Sequence, residues 1–579
     1  SAASDVYKRQ GIEFVESNSR YYPLGDFCSY VVGYAKSYND QSVKKMVGEM
    51  GLELSYDKQL KGKNGYKVYQ TDANGYALVD GTLREKDPTN GNDLYLTIDS
   101  GLQRNLDYLM SNAYSESGAE VVTAGVMEIK TGKILAMSTY PSFNPNERNI
   151  STFNNYFLEG TIECGSVFKP FIYADSIEEG KYDHNAYYNS GSYNVYYGNK
   201  LVATIKDHNG GQGWGTITYD QGLYHSSNVA ICNLLDQGYV TKDVLTEKLN
   251  DLGFFQGDTM DGLTCSSSIN AYTRKNAGRL EYLTTGFGQG STVTPYQLLK
   301  AYSVFGNDGK TVQPHIVDKV VNPETNKVVY QATPKYSKQI FSTNTISQVK
   351  DLMLGVIEDE QGTGKTYRLD NDVRMIGKTG TGQVVENGGY STTLYMHSFV
   401  GIAPYDDPQV VMFLTFKSGD SYAQYMPNIV KQTMNEALQV VNRYNAKNTT
   451  AVDQSYTLDS YTNQSVNYVK SKLESKSLSV QIIGNGSSVI EQYPLAKSKV
   501  TSGDKVFIKT EGKDITLPNL IGWSKKEVQT YASLAGIQLT IDGTSGHVTA
   551  QSVGENTVVH SGDSLTAVSY THLPSPRDY

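Results

Sequence analysis

The sequence predicts a multi-domain chain of the α/β type, in which small α+β modules flank one long mixed domain. Three observations predict it. The length of 579 residues allows three or four domains at roughly 100–200 residues each. The apolar pattern switches between strand-like alternation and helical spacing along the chain. A shift of 59 residues superposes the end of the chain on the stretch before it.

Taken in order, residues 1–10 (SAASDVYKRQ) and the tail 568–579 (VSYTHLPSPRDY) resemble translated sequencing adapter, so both ends are expected to be scars outside the fold. A chain that starts inside an adapter has lost its native N-terminus. The lack of any run of 18 apolar residues then says nothing about an anchor on the parent protein. Residues 11–91 alternate short apolar runs with Gly-rich turns such as Gly62-Lys63-Asn64-Gly65 and Asp72-Ala73-Asn74-Gly75, a small strand-rich module. A longer, more regular domain is expected over 92–445. Leu94 to Ile98 alternates like a strand, and Asp99 is placed to cap a helix carrying Leu102, Leu106 and Leu109. Val121–Ile129 and Ile134–Thr139 read as strands joined by a hairpin turn at Lys130-Thr131-Gly132-Lys133. Residues 446–454 are small and polar, a linker. Two repeats follow, 455–512 and 513–567, with Ser465 on Ser524, Val469 on Val528, Gln492 on Gln551 and Ser502-Gly503-Asp504 on Ser561-Gly562-Asp563. Each reads helix, strand, strand, turn, strand, and Ser524-Lys525-Lys526-Glu527 is a capping box.

The net charge of −9 argues against nucleic acid as a partner, because phosphate binding needs clustered Lys and Arg. Hydrophobic residues at 39% and charged residues at 19% describe a folded chain. The four cysteines, Cys28, Cys164, Cys232 and Cys265, form no C-x-x-C pair, which points away from zinc or dithiol chemistry. No metal or cofactor is expected.

The chemistry lies in three short motifs, each weak alone. Ser-x-x-Lys occurs at Ser42/Lys45, Ser55/Lys58, Ser166/Lys169, Ser347/Lys350 and Ser502/Lys505. Context selects Ser166, because Val167-Phe168-Lys169-Pro170-Phe171-Ile172 continues as an apolar helix, whereas Lys45 and Lys350 are expected in polar helices. The i, i+3 spacing puts the Lys169 amine beside the Ser166 hydroxyl. Desolvation of that amine would lower its pKa and let it take the serine proton. Ser226-Ser227-Asn228 sits at a predicted helix start, where Ser226 or Asn228 could also be a simple cap. Lys378-Thr379-Gly380-Thr381-Gly382 is strand-like; Gly380 and Gly382 would let a substrate backbone approach, and Lys378, Thr379 and Thr381 would donate to a carboxylate. The triplet Ser166-x-x-Lys169, Ser226-x-Asn228, Lys378-Thr379-Gly380 is the ordered signature of penicillin-binding proteins and serine β-lactamases.

With these residues the sequence resembles a class B penicillin-binding protein, a monofunctional peptidoglycan D,D-transpeptidase of Gram-positive bacteria. Further support comes from Arg20-Tyr21-Tyr22-Pro23-Leu24-Gly25, Thr97-Ile98-Asp99-Ser100-Gly101-Leu102-Gln103, Pro141-Ser142-Phe143-Asn144-Pro145-Asn146 and Gly288-Gln289-Gly290. The two repeats resemble PASTA domains. Cys164 replaces the family's usual proline before Gly-Ser, and the second repeat lacks the Gln492-Tyr493-Pro494 of the first. The resemblance implies a five-stranded antiparallel sheet with helices on both sides, and an N-terminal pedestal module over 11–91. It implies Ser166 as the acylated nucleophile, Lys169 as its base and Ser226 as proton relay. Asn228, Lys378, Thr379, Gly380 and Thr381 would bind substrate, and the backbone N–H groups of Ser166 and Thr381 would form the oxyanion hole. Stem peptides of lipid-linked precursor strands would be substrates and β-lactams inhibitors. Cell-wall or division proteins would be partners, and the parent protein would be membrane-anchored with its catalytic domain outside. Three readings compete: a D-Ala-D-Ala carboxypeptidase, a β-lactamase, and a non-catalytic β-lactam sensor or wall-binding protein. The glutamate a β-lactamase needs has one candidate, Glu247, read here as part of a surface helix over Val244–Leu252.

Overall fold

A computed structural model describes residues 20–570, apart from 41–42, 73–76, 370–372, 387, 450–455, 475–477, 501–503, 522 and 543–546. Residues 1–19 and 571–579, the turn at 73–75 and most of the expected linker lie outside the described residues. The chain divides into two compact units, Ser1–Arg443 and Tyr444–Tyr579, and each is taken by itself.

In the first unit, the stretch up to residue 91 contains two hairpins, Ala35–Asp40 with Val43–Gly48 and Tyr66–Thr71 with Ala77–Lys86. Lys45 therefore lies on a strand, opposite Tyr38, and not on the helix expected for it; strand pairing overrides helix propensity in so short a run. The stretch is tied to the long domain through Tyr22. Its N–H donates to Asn146 Oδ1 at 3.0 Å and its carbonyl accepts from Asn146 Nδ2 at 2.8 Å.

The long domain opens with helix α1 (Ser100–Ser117), capped by Asp99, whose side chain accepts from the N–H of Gly101 and Leu102. Strands β1 (Val121–Glu128) and β2 (Ile134–Tyr140) form the expected hairpin. Helix α2 (Lys169–Glu178) follows Ser166. A separate two-stranded hairpin, β3 (Ser192–Tyr197) and β4 (Lys200–Lys206), precedes helices α3 (Asn228–Asp236) and α4 (Lys242–Asp251). Helix α5 (Thr343–Glu358) leads to strands β5 (Ile376–Glu386), β6 (Gly389–Ala403) and β7 (Val410–Ser418). The five-stranded sheet has the order β5-β6-β7-β1-β2 and every pair is antiparallel. Strand β5 is an edge strand.

Both faces of the sheet are covered over β1, β2 and β7, so these strands read as near-continuous apolar runs. On β7, Met412, Leu414 and Phe416 turn to one face, with α1 and the closing helix α6 (Met426–Thr449), while Val411 and Phe413 turn to the other, with α2 and α5. That is the period-two alternation of a strand. Helix α6 runs four residues into the span 446–454 expected as a linker. Adding a residue to an existing helix end takes only one more ordered residue per hydrogen bond, so polar composition alone does not stop it.

In the second unit each repeat has one helix and a three-stranded sheet, with helices Val466–Glu474 and Lys525–Ala535. Ser524 and Glu527 form the expected capping box. The 59-residue equivalence extends to hydrogen bonds. Gln492 Oε1 accepts from Tyr461 N–H at 2.7 Å and Nε2 donates to the carbonyls of Asp459 and Pro494. Gln551 Oε1 accepts from Leu520 N–H at 2.7 Å and Nε2 donates to those of Pro518 and Val553. The two glutamines are structural clasps. The repeats share a core: Ile483 and Phe507 of the first are buried in one cluster with Trp523, Val528 and Tyr531 of the second. Lys505 lies 3.7 Å over the Trp523 ring and 3.1 Å from Glu527. The last strand, Ser564–Tyr570, continues past Val568, where the scar was expected to begin. Ladder bonds use main chain only, so any non-proline residue can extend them.

Candidate active site

The Ser166 motif is built as a 3₁₀ turn, Gly165–Phe168, that passes into α2 at Lys169. In a 3₁₀ turn residues i and i+3 eclipse, so the expected Ser166/Lys169 alignment has a tighter origin than an α-helix. Ser166 lines a cleft of about 730 Å³ with Ser226, Asn228, Thr379, Gly380 and Thr381. Lys169 and Lys378 lie beneath it, both fully buried. The structure thus brings all eight predicted site residues around one cleft.

Two glycines fix the turn against β5. A Cβ on Gly382 would sit 1.6 Å from the Glu163 carbonyl oxygen, and one on Gly380 would sit 2.7 Å from that of Cys164. The space left by the absent side chains of the Lys-Thr-Gly strand is therefore filled by the segment leading to Ser166, not by substrate as the sequence suggested. Gly165, at φ +60, meets the Thr381 carbonyl in return. On the other side Gly165 N–H donates to Gly288 O at 3.0 Å, and Ile162 and Val293 exchange both backbone bonds at 2.9 Å. Tyr302 donates to the Val167 carbonyl. The Gly288-Gln289-Gly290 stretch serves to seat this turn. Cys164 is buried, and burial pushes its thiol well above the ordinary range.

Ser226 is the hub. Its carbonyl accepts from Lys169 Nζ at 2.5 Å, and its hydroxyl oxygen accepts from Lys378 Nζ at 2.8 Å and from Lys169 Nζ at 3.4 Å. Its φ of +59 is left-handed, a conformation uncommon for a residue with a side chain and concentrated at functional sites. Ser227, not Ser226 or Asn228, caps α3: its Oγ accepts from Ala230 N–H. The cap reading of Ser226 is thereby excluded. Ser227 also donates to Asp207 Oδ1 at 2.8 Å, and Asp207 accepts from Val229 N–H at 3.1 Å and Gly191 N–H at 2.8 Å. No sequence motif marks Asp207; its partners come from two separate segments, 227–229 and Gly191.

Burial pulls the Lys169 ammonium down to about 7, against opposing pulls from Asp207 and Cys232. Burial, then the charge of Lys169, holds Lys378 well below its ordinary value. Two ammonium groups sharing one serine in a dry site disfavour each other's charge. His208, which also lines the cleft, is held down by burial and by both lysines. Lys378 also donates to the Thr379 carbonyl at 3.0 Å and does not itself line the cleft, contrary to its expected role as a direct carboxylate ligand. Thr379, whose Oγ1 donates to Thr363 Oγ1 at 2.9 Å, and Thr381 are the hydroxyls presented there. Asn228 Nδ2 donates to the Lys206 carbonyl at 3.0 Å. Among the described residues no hydrogen bond reaches the Ser166 hydroxyl. Glu247 is exposed on α4, as expected.

Comparison with known proteins agrees with this geometry. The penicillin binding protein transpeptidase domain matches residues 122–439, the penicillin-binding protein dimerisation domain residues 3–96, and the PASTA domain residues 456–512 and 515–568. The chain is 30% identical over 525 residues to Stage V sporulation protein D of Bacillus subtilis, covering 87% of this chain and 77% of that protein. It is 28% identical over 429 residues to a peptidoglycan D,D-transpeptidase FtsI homolog of Mesostigma viride, covering 70% and 69%. Among solved structures, penicillin binding protein 2X of Streptococcus thermophilus superposes with a TM-score of 0.65 at 25% identity, covering 95% of this chain and 82% of that one. The chain belongs to the penicillin-binding protein family, with a transpeptidase domain, a dimerisation domain and PASTA domains.

Proposed function

We propose that this chain is a serine peptidoglycan D,D-transpeptidase that works through an acyl-enzyme at Ser166. The observation that carries the reading is the pair of buried lysines meeting at Ser226 beneath the Ser166 cleft. Lys169, neutral in a large fraction at pH 7, takes the Ser166 hydroxyl proton as Oγ attacks the penultimate D-Ala carbonyl of a stem peptide. The oxyanion is received by the N–H groups of Ser166 and Thr381; one such donor is worth about 3–4 kcal/mol in other enzymes. The C–N bond to the terminal D-Ala then breaks, and Ser226 passes a proton to the leaving nitrogen. Lys169, carrying the Ser166 proton, passes it to Ser226 across their 3.4 Å contact and is neutral again. Thr379 and Thr381 hold the terminal carboxylate and Asn228 the substrate amide, with Gly380 keeping the strand close to the nucleophile. An acceptor amine next attacks the ester, loses its proton through the same Ser226–Lys169 route, and frees Ser166.

Peptidoglycan stem peptides are then the substrates and β-lactams the covalent inhibitors, acting outside the cytoplasm. Among the described residues no helix is long and apolar enough to cross a membrane; a membrane anchor on the parent protein remains part of the proposal. The test is labelling with a fluorescent penicillin, with the adduct located by mass spectrometry. A stable adduct on Ser166, absent in Ser166→Ala, supports the reading. Rapid loss of label with hydrolysed drug indicates a β-lactamase, and no label on folded protein overturns the enzyme.

A further inference from the structure

The cleft has a second strand edge opposite β5. Ala203, Thr204, Ile205 and Lys206 of β4 line it, facing Thr379, Gly380, Thr381 and Gln383. Hairpin β3–β4 is two-stranded, so among the described residues one edge of β4 has no strand beside it.

The phase of that edge follows from two bonds. Asp207 N–H donates to Gly191 O at 2.9 Å, and the register continues with Lys206, Ile205, Thr204 and Ala203 opposite Ser192, Tyr193, Asn194 and Val195. In an antiparallel pair, residues bonded to the partner strand alternate with residues whose N–H and C=O turn away. Asp207, Ile205 and Ala203 are therefore committed to β3, and Thr204 and Lys206 turn their main chain outward. The second bond agrees: the Lys206 carbonyl accepts from Asn228 Nδ2, on the side away from β3. Outside the hairpin, no described group takes up the N–H of Thr204 or Lys206, or the Thr204 carbonyl.

We infer that this free edge of β4 binds the main chain of an extended stem peptide by strand addition, so that the cleft holds substrate between two strand edges. Strand addition draws affinity from main-chain bonds, which suits a wall whose free groups are N–H and C=O. The inference rests on the transpeptidase reading, in which two stem peptides must meet at Ser166. The bound peptide is either the donor that acylates Ser166 or the acceptor that brings the amine.

Proline removes the relevant group selectively. At 204 or 206 it deletes an outward N–H and leaves the bonds to β3 intact, the position where an edge strand tolerates it. Thr204→Pro and Lys206→Pro are compared with Thr204→Ala, which keeps the N–H, using D-Ala release from a D-Ala-D-Ala peptide and its transfer to an added peptide amine. A fall of about fivefold to tenfold, one hydrogen bond's worth, is expected for either proline variant relative to Thr204→Ala. A fall in donor kcat/KM assigns the edge to the donor. A rise in acceptor KM alone assigns it to the acceptor. Folded proline variants that match Thr204→Ala in both arms overturn the inference. The transpeptidase reading is judged separately on the unsubstituted chain, where failure of penicillin to acylate Ser166 removes both.

Discussion

Lys169 Nζ lies 2.5 Å from the carbonyl oxygen of Ser226 and 3.4 Å from its hydroxyl. The proposed base is thus anchored by the main chain of the proposed relay. The carbonyl bond fixes the amine, and the hydroxyl contact leaves a proton path.

Acylation by penicillin should rise with pH through a midpoint near 7, the value to which burial brings Lys169. Below it the ammonium cannot accept the serine proton. Second-order acylation rates across pH 5.5–9 check this. Lys169→Ala should slow acylation by about 10²–10⁴-fold and abolish the step.

Ser226→Gly and Ser226→Ala separate conformation from chemistry. Both lose the hydroxyl that accepts from Lys378, and both should fall in deacylation and turnover. Only glycine takes φ +59 without a Cβ penalty, so Ser226→Gly should be the more stable by about 1 kcal/mol. Thermal melting of the two variants decides it.

Gly382→Ala places a Cβ 1.6 Å from the Glu163 carbonyl. Backbone must move, at about 1–3 kcal/mol for an overpacked site. The displaced segment carries Ser166, so acylation should fall with stability. Gly389→Ala, with nothing near its Cβ position and no positive φ, is the comparison for loss of a strand glycine alone.

Asp175 on α2 is buried, and among the described residues neither carboxylate oxygen has a hydrogen-bond partner. Burial, against a weaker pull from Lys248, pushes its pKa well above the carboxylate range. The folded state therefore keeps a proton the unfolded chain releases. Stability from this group is present below the unfolded pKa of about 4 and falls as pH rises towards the folded one. Asp175→Asn should raise the melting temperature at pH 7.5 and raise it less at pH 4.5. Equal shifts at both pH values would refute the assignment.

Much of this was legible in the sequence because it is local. Asp99 and Ser524 cap the helices they precede, and apolar patterning marks β1 and β2. The three motifs named the site because their order, not any single match, is specific. What sequence could not show is what non-local packing decides. Asp207 gathers donors from Ser227, Val229 and Gly191, and no spacing rule links them. Gly380 and Gly382 looked free for substrate, yet Cys164 and Glu163 occupy that space. Lys378 reads in the sequence as a donor to a carboxylate, and its burial against Ser226 is a matter of packing that no motif shows.

The core shared by Phe507 and Trp523 has a consequence for how the tail can be cut or lengthened. A single copy ending near residue 512 would present Ile483 and Phe507 to water, and the second copy alone would lose the lid over Trp523. The pair should melt as one cooperative unit, and the number of copies is not freely adjustable: a copy added or deleted must come with a matching apolar end.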